Sequence, residues 1–151
     1  MKNLYAGQKD AASVDYLIAR AQFRAILGGN TEAILTLDYK DDSHEAYLGE
    51  PNEGIGFDEA PKAHQLNTWL TPANESEASA VALTVEHEYS NGYSLTSLTS
   101  YRNTEAVARW EENHSSLRLF DVTFGDKVSQ FSQELRLTSP QDSRLTYVAG
   151  L

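Results

Sequence analysis

Cysteine is absent from the 151-residue chain, which excludes disulfides and thiolate metal sites. Basic residues are scarce, because 12 Lys and Arg stand against 22 Asp and Glu and the formal net charge is -10. This charge disfavours wholesale binding to nucleic acid or to an anionic membrane surface, so we predict no nucleic-acid partner. Long apolar runs are also missing, since none approaches the roughly 18 residues that a transmembrane helix needs.

The start of the chain lacks the apolar core of a signal peptide, because Met1 and Tyr5 are followed closely by Gln8, Lys9 and Asp10. We therefore expect that no signal peptide is encoded here. Composition by itself describes a soluble β-rich domain. It leaves a membrane barrel open, because the strands of such a barrel alternate in polarity and give only a weak hydropathy signal.

Alternation of apolar and polar residues is the dominant pattern, and it predicts about six β-strands. In the clearest example, Phe131, Leu135 and Leu137 alternate with polar residues. Gly, Asn, Pro and Asp mark short turns at 28–30, 90–92 and 139–143. We predict strands at about 16–27, 31–41, 79–90, 93–104, 128–138 and 144–151, a loop over 1–15, and long external loops at about 42–78 and 105–127.

Apolar residues occupy odd positions in nearly every predicted strand. The two partners across each short turn share parity, that is, both have odd residue numbers or both have even ones. The apolar side chains of successive strands should therefore lie on one face. The expected partners are Leu27 with Thr31, Tyr89 with Tyr93, and Thr138 with Arg144. The predicted fold class is therefore all-β, an up-and-down antiparallel meander of about six strands with its long loops at one end.

Periodicity leaves two orientations of the apolar face open. A lipocalin-like barrel points this face into a core, whereas a transmembrane barrel points it into lipid. Three features favour lipid: short and long loops alternate, tyrosines lie at both ends of the strands, and the opposite face is ionic. The tyrosines are Tyr39, Tyr89, Tyr93 and Tyr101, and the charged residues are Arg20, Arg24, Glu32, Asp38, Glu86, Glu88, Arg102, Glu134 and Arg136.

Several stretches carry a family resemblance. They are ARAQ at 19–22, TEAILTLDYKDD at 31–42, YSLTSLTSYRNTE at 93–105, and FSQELRLTSP at 131–140 followed by RLTYVAGL at 144–151. Together they resemble TonB-dependent outer-membrane receptors of the siderophore-receptor type. The last two motifs at this spacing are more specific than any one of the others.

The resemblance implies a piece of a 22-stranded barrel in the outer membrane of a Gram-negative bacterium. It implies three partners: outer-membrane lipid, a ferric siderophore or another large nutrient, and an inner-membrane TonB complex that acts through a plug domain. Cobalamin, haem and oligosaccharides are other cargoes of such receptors. The plug, the energy-coupling box and most of the barrel are not in this sequence, and the chain stops at Leu151 within a predicted strand. We therefore expect a fragment of the barrel, and no ligand-binding residue is carried over from the family.

Catalytic and metal motifs are not assembled. His44 and His87 each precede a glutamate, but neither has a second histidine four residues on. An acidic cluster at Asp38, Asp41, Asp42, His44 and Glu45 lacks the spacing of a calcium loop. We predict no catalytic residue, metal or cofactor. An enzyme is accordingly the third hypothesis, after the transport protein and its alternative, a soluble lipocalin-like β-barrel or sandwich that binds a ligand.

Loop aromatics leave two interpretations open. Trp69 and Trp110 lie in the predicted long loops, with Tyr47 and Phe57 nearby in sequence. Such side chains can stack on a ligand, or they can pack within the loops themselves.

Individual strand positions are also predicted. Arg20 should lie opposite Asp38 as an ion pair, while Leu35 and Leu83 should face the middle of a bilayer.

Expressed alone, the chain should accumulate in inclusion bodies or remain molten. About six strands cannot close a bacterial transmembrane barrel, whose smallest members have about eight. The open sheet would leave unpaired backbone groups at both edges and an apolar face in water. Expression trials and thermal denaturation check this expectation, and a cooperative transition from a soluble monomer would contradict it.

Overall fold

A computed structural model describes residues 2–5, 7–9, 11–45, 62 and 64–151, and every regular element within these ranges is a β-strand. The strands are β1 (Lys2–Asn3), β2 (Val14–Leu27), β3 (Thr31–His44), β4 (Gln65–Leu66), β5 (Ala73–Glu88), β6 (Ser94–Glu111), β7 (Asp121–Thr138) and β8 (Val148–Gly150). β1 and β4 pair in parallel as a small sheet. The other six form one sheet in the order β2-β3-β5-β6-β7-β8.

The predicted antiparallel meander of six strands is confirmed, because each strand of the larger sheet lies beside the preceding strand of that sheet. Its first two short turns also fall at the expected places. Gly28 and Gly29 adopt φ of 63° and 82°, and Gly92 adopts 83°, conformations that cost glycine little. Across the second turn, Tyr89 N donates to Tyr93 O at 2.8 Å, which is the expected pair.

Three strands extend into segments that were predicted as loops. β5 starts at Ala73, β6 continues to Glu111, and β7 starts at Asp121. The connection predicted at 105–127 therefore shortens to 112–120. Alternation weakens in the extended part of β6, because apolar residues other than Val107 occupy even positions, where a search for odd-numbered apolar residues misses them. They are Ala106, Ala108 and Trp110.

The turn between β7 and β8 is wider than predicted. Thr138 pairs with Val148 and not with Arg144, so the strand predicted at 144–151 shortens to β8. Ser139 closes this turn, since its N donates to Tyr147 O at 3.0 Å and its Oγ accepts from Tyr147 N at 2.8 Å. The new partners still share parity, so the predicted faces of the strands do not change.

The segment before β2 is more ordered than the predicted loop over 1–15. Lys2 and Asn3 pair with Gln65 and Leu66 as β1 and β4, and Asn3 also forms a bridge with Gln8. These partners are far apart in sequence or follow a tight reversal. A local alternation pattern therefore contains no signal for them.

Two compact units divide the chain. Unit 1 takes Met1–Leu17, Lys40–Glu77 and Glu105–Lys127, and unit 2 takes Ile18–Tyr39, Ala78–Thr104 and Val128–Leu151. Among the described residues, the buried hydrophobic ones are Ala11 and Leu66, and both belong to unit 1. The described part of unit 2 thus buries no hydrophobic side chain. The predicted loop residues 46–61 and 63, which include Tyr47 and Phe57, lie outside the described residues.

Replacing Gly92 by alanine should destabilise the sheet more than replacing Gly29. Their φ angles are 83° and 82°, so both alanines would carry left-handed strain of about 1–2 kcal/mol. A Cβ on Gly92 would also lie 3.0 Å from Pro140 Cβ, whereas a Cβ on Gly29 has no described neighbour within 4 Å. Urea unfolding of both variants in detergent micelles, followed by circular dichroism, measures the difference. Equal losses would show that the contact with Pro140 has no energetic effect.

Candidate functional site

An exposed apolar surface is the main chemical feature of unit 2. The odd-numbered side chains of its strands include Phe23, Leu37, Val81, Leu83 and Phe131, and each of them is exposed. In β5 the alternation is clear, because Val81 and Leu83 are exposed while the even-numbered residues between 78 and 84 are only partly so. A water-soluble sheet normally covers its apolar face with a second layer. Here the described residues of unit 2 supply no such layer.

Ion pairs and hydrogen bonds occupy the even-numbered positions of β2 and β3. The predicted pair of Arg20 and Asp38 is confirmed, with Nε 2.5 Å from Oδ1. Arg24 binds Glu32 through both carboxylate oxygens, with Nε–Oε1 at 2.7 Å and Nη2–Oε2 at 2.6 Å. These groups are well exposed, so the pairs contribute little stability. Both pairs place their charged side chains at even-numbered positions, as predicted, although the apolar Ile18 and Ile26 of β2 are even-numbered as well.

Polar side chains also occur on the odd-numbered face of β6 and β7. Gln133 is bonded through both ends of its amide, because Oε1 accepts from Thr99 Oγ1 at 2.5 Å and Nε2 donates to Ser97 Oγ at 3.1 Å. Further along the same strands, Ser129 Oγ donates to Asn103 Oδ1 at 2.7 Å. These polar groups therefore satisfy one another across the strands. The alternation pattern predicted none of these pairs.

Aromatic rings gather beside the short turns of unit 2. Tyr93 and Tyr147 pack edge to face with centroids 6.5 Å apart, and their hydroxyls lie 3.4 Å from each other. His87 packs against Tyr89 at 4.5 Å, while its Nδ1 lies 2.7 Å from Thr31 Oγ1. The histidine that the sequence placed on a strand thus contacts a tyrosine and a threonine of the same unit.

A buried polar cluster organises unit 1, and we call it the Glu111 cluster: Asn3, Thr68, Glu111 and Ser115. All four side chains are at most 5% exposed. Asn3 Nδ2 donates to Thr68 O at 2.9 Å, and Thr68 Oγ1 donates to Glu111 Oε1 at 2.6 Å. Glu111 Oε2 then accepts from the backbone N of Asn113 and of His114 at 2.9 and 2.8 Å. Three segments that are distant in sequence are thus joined, Asn3 to Thr68 and Thr68 to Glu111.

The two tryptophans occupy different environments in unit 1. Arg118 Cζ lies 5.6 Å from the ring centroid of Trp69, a cation–π geometry, and Trp69 Nε1 is buried without an acceptor among the described residues. Trp110 is in β6 and not in a loop as predicted, and its Nε1 donates to Glu112 at 2.7 Å. Both rings therefore contact neighbouring side chains of their own unit.

The acidic cluster predicted at the end of β3 does not converge on one point. Asp42 accepts from Lys40 at 2.9 Å and lies 3.2 Å from His44 Nδ1, while Glu45 accepts from Gln8 Nε2 at 2.6 Å. The hydrogen bond from Lys40, followed by that from His44, lowers the pKa of Asp42. This interaction therefore stabilises the fold above the unfolded pKa and is lost as pH falls through the folded one. Across the described residues, no group of three or more His, Asp or Glu side chains is placed to hold a metal ion.

No family model, curated protein or solved structure matches the chain. Within the described ranges, no helix has the length and apolar character needed to cross a membrane. Function is therefore inferred from the surface chemistry of the two units.

Replacing Glu111 by glutamine should destabilise unit 1 by about 1–3 kcal/mol, because a neutral amide oxygen accepts the hydrogen bonds from Asn113 N and His114 N less strongly than the carboxylate does. Glu112→Gln is the matched control, since its amide oxygen can still accept from exposed Trp110 Nε1. Hydrogen exchange at the Asn113 and His114 amides should accelerate in the first variant and stay unchanged in the second. If the Asn113 and His114 amides exchange at the same rate in both variants, the Glu111 carboxylate does not hold this segment in place.

Proposed function

We propose that this chain forms part of the transmembrane β-barrel of a TonB-dependent outer-membrane receptor that takes up ferric siderophores or a similar large nutrient. The observation that carries the proposal is the exposed apolar face of unit 2, opposite the ion pairs of β2 and β3. A barrel in lipid turns its apolar residues outward and its polar residues toward the lumen.

Strand length supports the same environment. The parts of β2, β3, β5, β6 and β7 that belong to unit 2 are nine to eleven residues long. A β-strand tilted by about 45° needs roughly 9–11 residues to cross the hydrocarbon core of a bilayer. Each of the five strands therefore has a span that fits the apolar thickness of a membrane.

The polar pairs on the apolar face fit lipid as well. In hydrocarbon, an unsatisfied polar group costs several kcal/mol because no water is available to it. Gln133 has partners at both ends of its amide, and Asn103 is bonded to Ser129. Such pairs remove most of the cost of placing amides and hydroxyls against lipid.

The soluble lipocalin-like alternative would turn the same side chains into a core. It needs Phe23, Leu83 and Phe131 to be buried, yet they are 59%, 42% and 66% exposed. Fully burying one such side chain stabilises a fold by roughly 1.5–3 kcal/mol. A soluble module of this sequence would forgo that contribution at every strand, which favours the membrane proposal.

Transport in this proposal belongs to the intact receptor. Lipid would contact unit 2, the nutrient would pass on the ionic side of the sheet, and the TonB complex would act through a plug encoded elsewhere in the gene. The gene sequence on both sides of this segment tests that assignment. An upstream plug with an energy-coupling box and a downstream series of alternating strands are expected, and flanking segments of another kind would overturn it.

An arginine at Leu83 should destabilise the lipid-inserted receptor by roughly 2–4 kcal/mol, because Leu83 is central in the unit 2 part of β5 and on its apolar face. Thr84→Arg is the matched control on the other face, and it should cost less than about 1 kcal/mol. Asp38→Lys, which breaks an exposed ion pair, should also cost about 0–1 kcal/mol.

Urea unfolding of the three variants in lipid vesicles measures these effects. Equal tolerance of arginine at positions 83 and 84 would reject the proposed orientation of the sheet. A large loss at position 84 with tolerance at position 83 would contradict both the membrane proposal and the soluble alternative, because each of them places Leu83 in an apolar environment and Thr84 in a polar one.

A further inference from the structure

A groove of about 140 Å³ lies in unit 1, and no part of the proposed transport function uses it. Its floor is formed by Ala106 and Ala108 of β6, the strand between β5 and β7. Asn74 of β5 stands on one side, and Phe124 and Asp126 of β7 stand on the other. Neighbouring strands are about 4.8 Å apart, so these walls are separated by roughly two strand spacings. Two small residues between larger ones thus create the depression.

The apolar part of this groove suits one flat ring. Phe124 is 61% exposed, although it lies beside the alanine floor. A ring placed against Ala106, Ala108 and Phe124 would remove this aromatic surface from water. Cavities of about 150 Å³ accept a single benzene molecule. The volume therefore limits the buried part of a ligand to about one ring.

The polar part of the groove is anionic. Asp126 and Glu75 are the acidic lining residues, and among the described residues the exposed carboxylate of Asp126 has no side-chain hydrogen bond or ion pair. The lining contains no lysine or arginine. A carboxylate without a partner beside an apolar floor favours a ligand that brings a positive charge.

Both ring nitrogens of His44 lie near residues other than Asp126. Its Nδ1 lies 3.2 Å from Asp42 Oδ1, and a carboxylate there requires Nδ1 to carry the proton. Asn74 Nδ2 lies 3.4 Å from Nε2 and can donate to the lone pair of that nitrogen. Asp126 therefore remains the group that the positive charge of a ligand would meet.

We propose that this groove binds an aromatic ammonium ligand, with its ring on Ala106 and Ala108 beside Phe124 and its protonated amine at Asp126. All of these residues belong to unit 1. The proposal therefore does not depend on lipid around unit 2 or on transport. The charge selectivity comes from Asp126, and the selectivity for a single ring comes from the alanine floor.

The test uses the whole 151-residue chain, refolded from inclusion bodies into detergent micelles that cover its exposed apolar face, and labelled with ¹³C at its alanine methyl groups. The probe is 2-phenylethylamine, and 3-phenylpropionate is the control with the same ring and the opposite charge. We expect saturable shifts of the Ala106 and Ala108 methyl signals with the amine, and at least about tenfold weaker binding of the carboxylate.

Three variants separate the contributions to binding. Asp126→Asn should weaken binding of the amine about two- to fivefold, as expected for a solvated ion pair. Asp121→Asn makes the same change of charge on the same strand, where Asp121 pairs with Arg109 at 3.5 Å, and should leave binding unchanged. Ala108→Leu fills the floor and should abolish binding of the amine.

Equal affinity for the amine and the carboxylate would overturn the proposal, as would unchanged binding in Asp126→Asn or Ala108→Leu. A chain whose alanine methyl signals are not dispersed has no formed groove, and this result also counts against it. The comparison of Leu83→Arg with Thr84→Arg tests the membrane proposal separately. Failure of one proposal can therefore be distinguished from failure of the other.

Discussion

Shared parity between partners in neighbouring antiparallel strands is the constraint on which the larger sheet depends. Side chains alternate between faces with a period of two, so a turn that pairs odd with odd keeps all odd residues on one side. The narrow turn at Tyr89 and Tyr93 meets this condition, and so does the wider one at Thr138 and Val148. One additional residue in either turn would move the apolar side chains of every later strand to the other face. The turns therefore fix the chemistry of the two faces as well as the direction of the chain.

Parity also explains which features could be predicted from the sequence. The order of the six strands, two of the three short turns and the contact between Arg20 and Asp38 all follow from alternation and turn residues. The extended ends of β5, β6 and β7 do not, because their apolar residues change parity or are absent. The turn between β7 and β8 is wider than predicted. No residue pattern near this turn indicates that Ser139 bonds Tyr147 and not a residue closer in sequence.

Unit 1 lies beyond that kind of reasoning. Its Glu111 cluster joins Asn3 to Thr68 and Thr68 to Glu111, pairs that are 65 and 43 residues apart. These contacts are polar and occur once, so they produce no period. The groove is equally hidden, because an alanine in a strand is ordinary until larger neighbours from two other strands flank it. Side chains that meet only through the fold can be found only in the structure.

Ionic residues set the limit of the apolar face under the proposed function. On β6 and β7 the odd-numbered pair Asn103 and Ser129 is neutral, whereas the next pair, Glu105 and Lys127, is an ion pair at 2.8 Å. The hydrogen bond with Glu105 raises the pKa of Lys127, so the ammonium stays charged and is excluded from hydrocarbon. On β5 and β3, the first odd-numbered residues beyond the unit 2 part of each strand are also charged, and they are Glu77 and Asp41. All four strands thus change from neutral to charged where their unit 2 residues end, and lipid could extend no further along any of them.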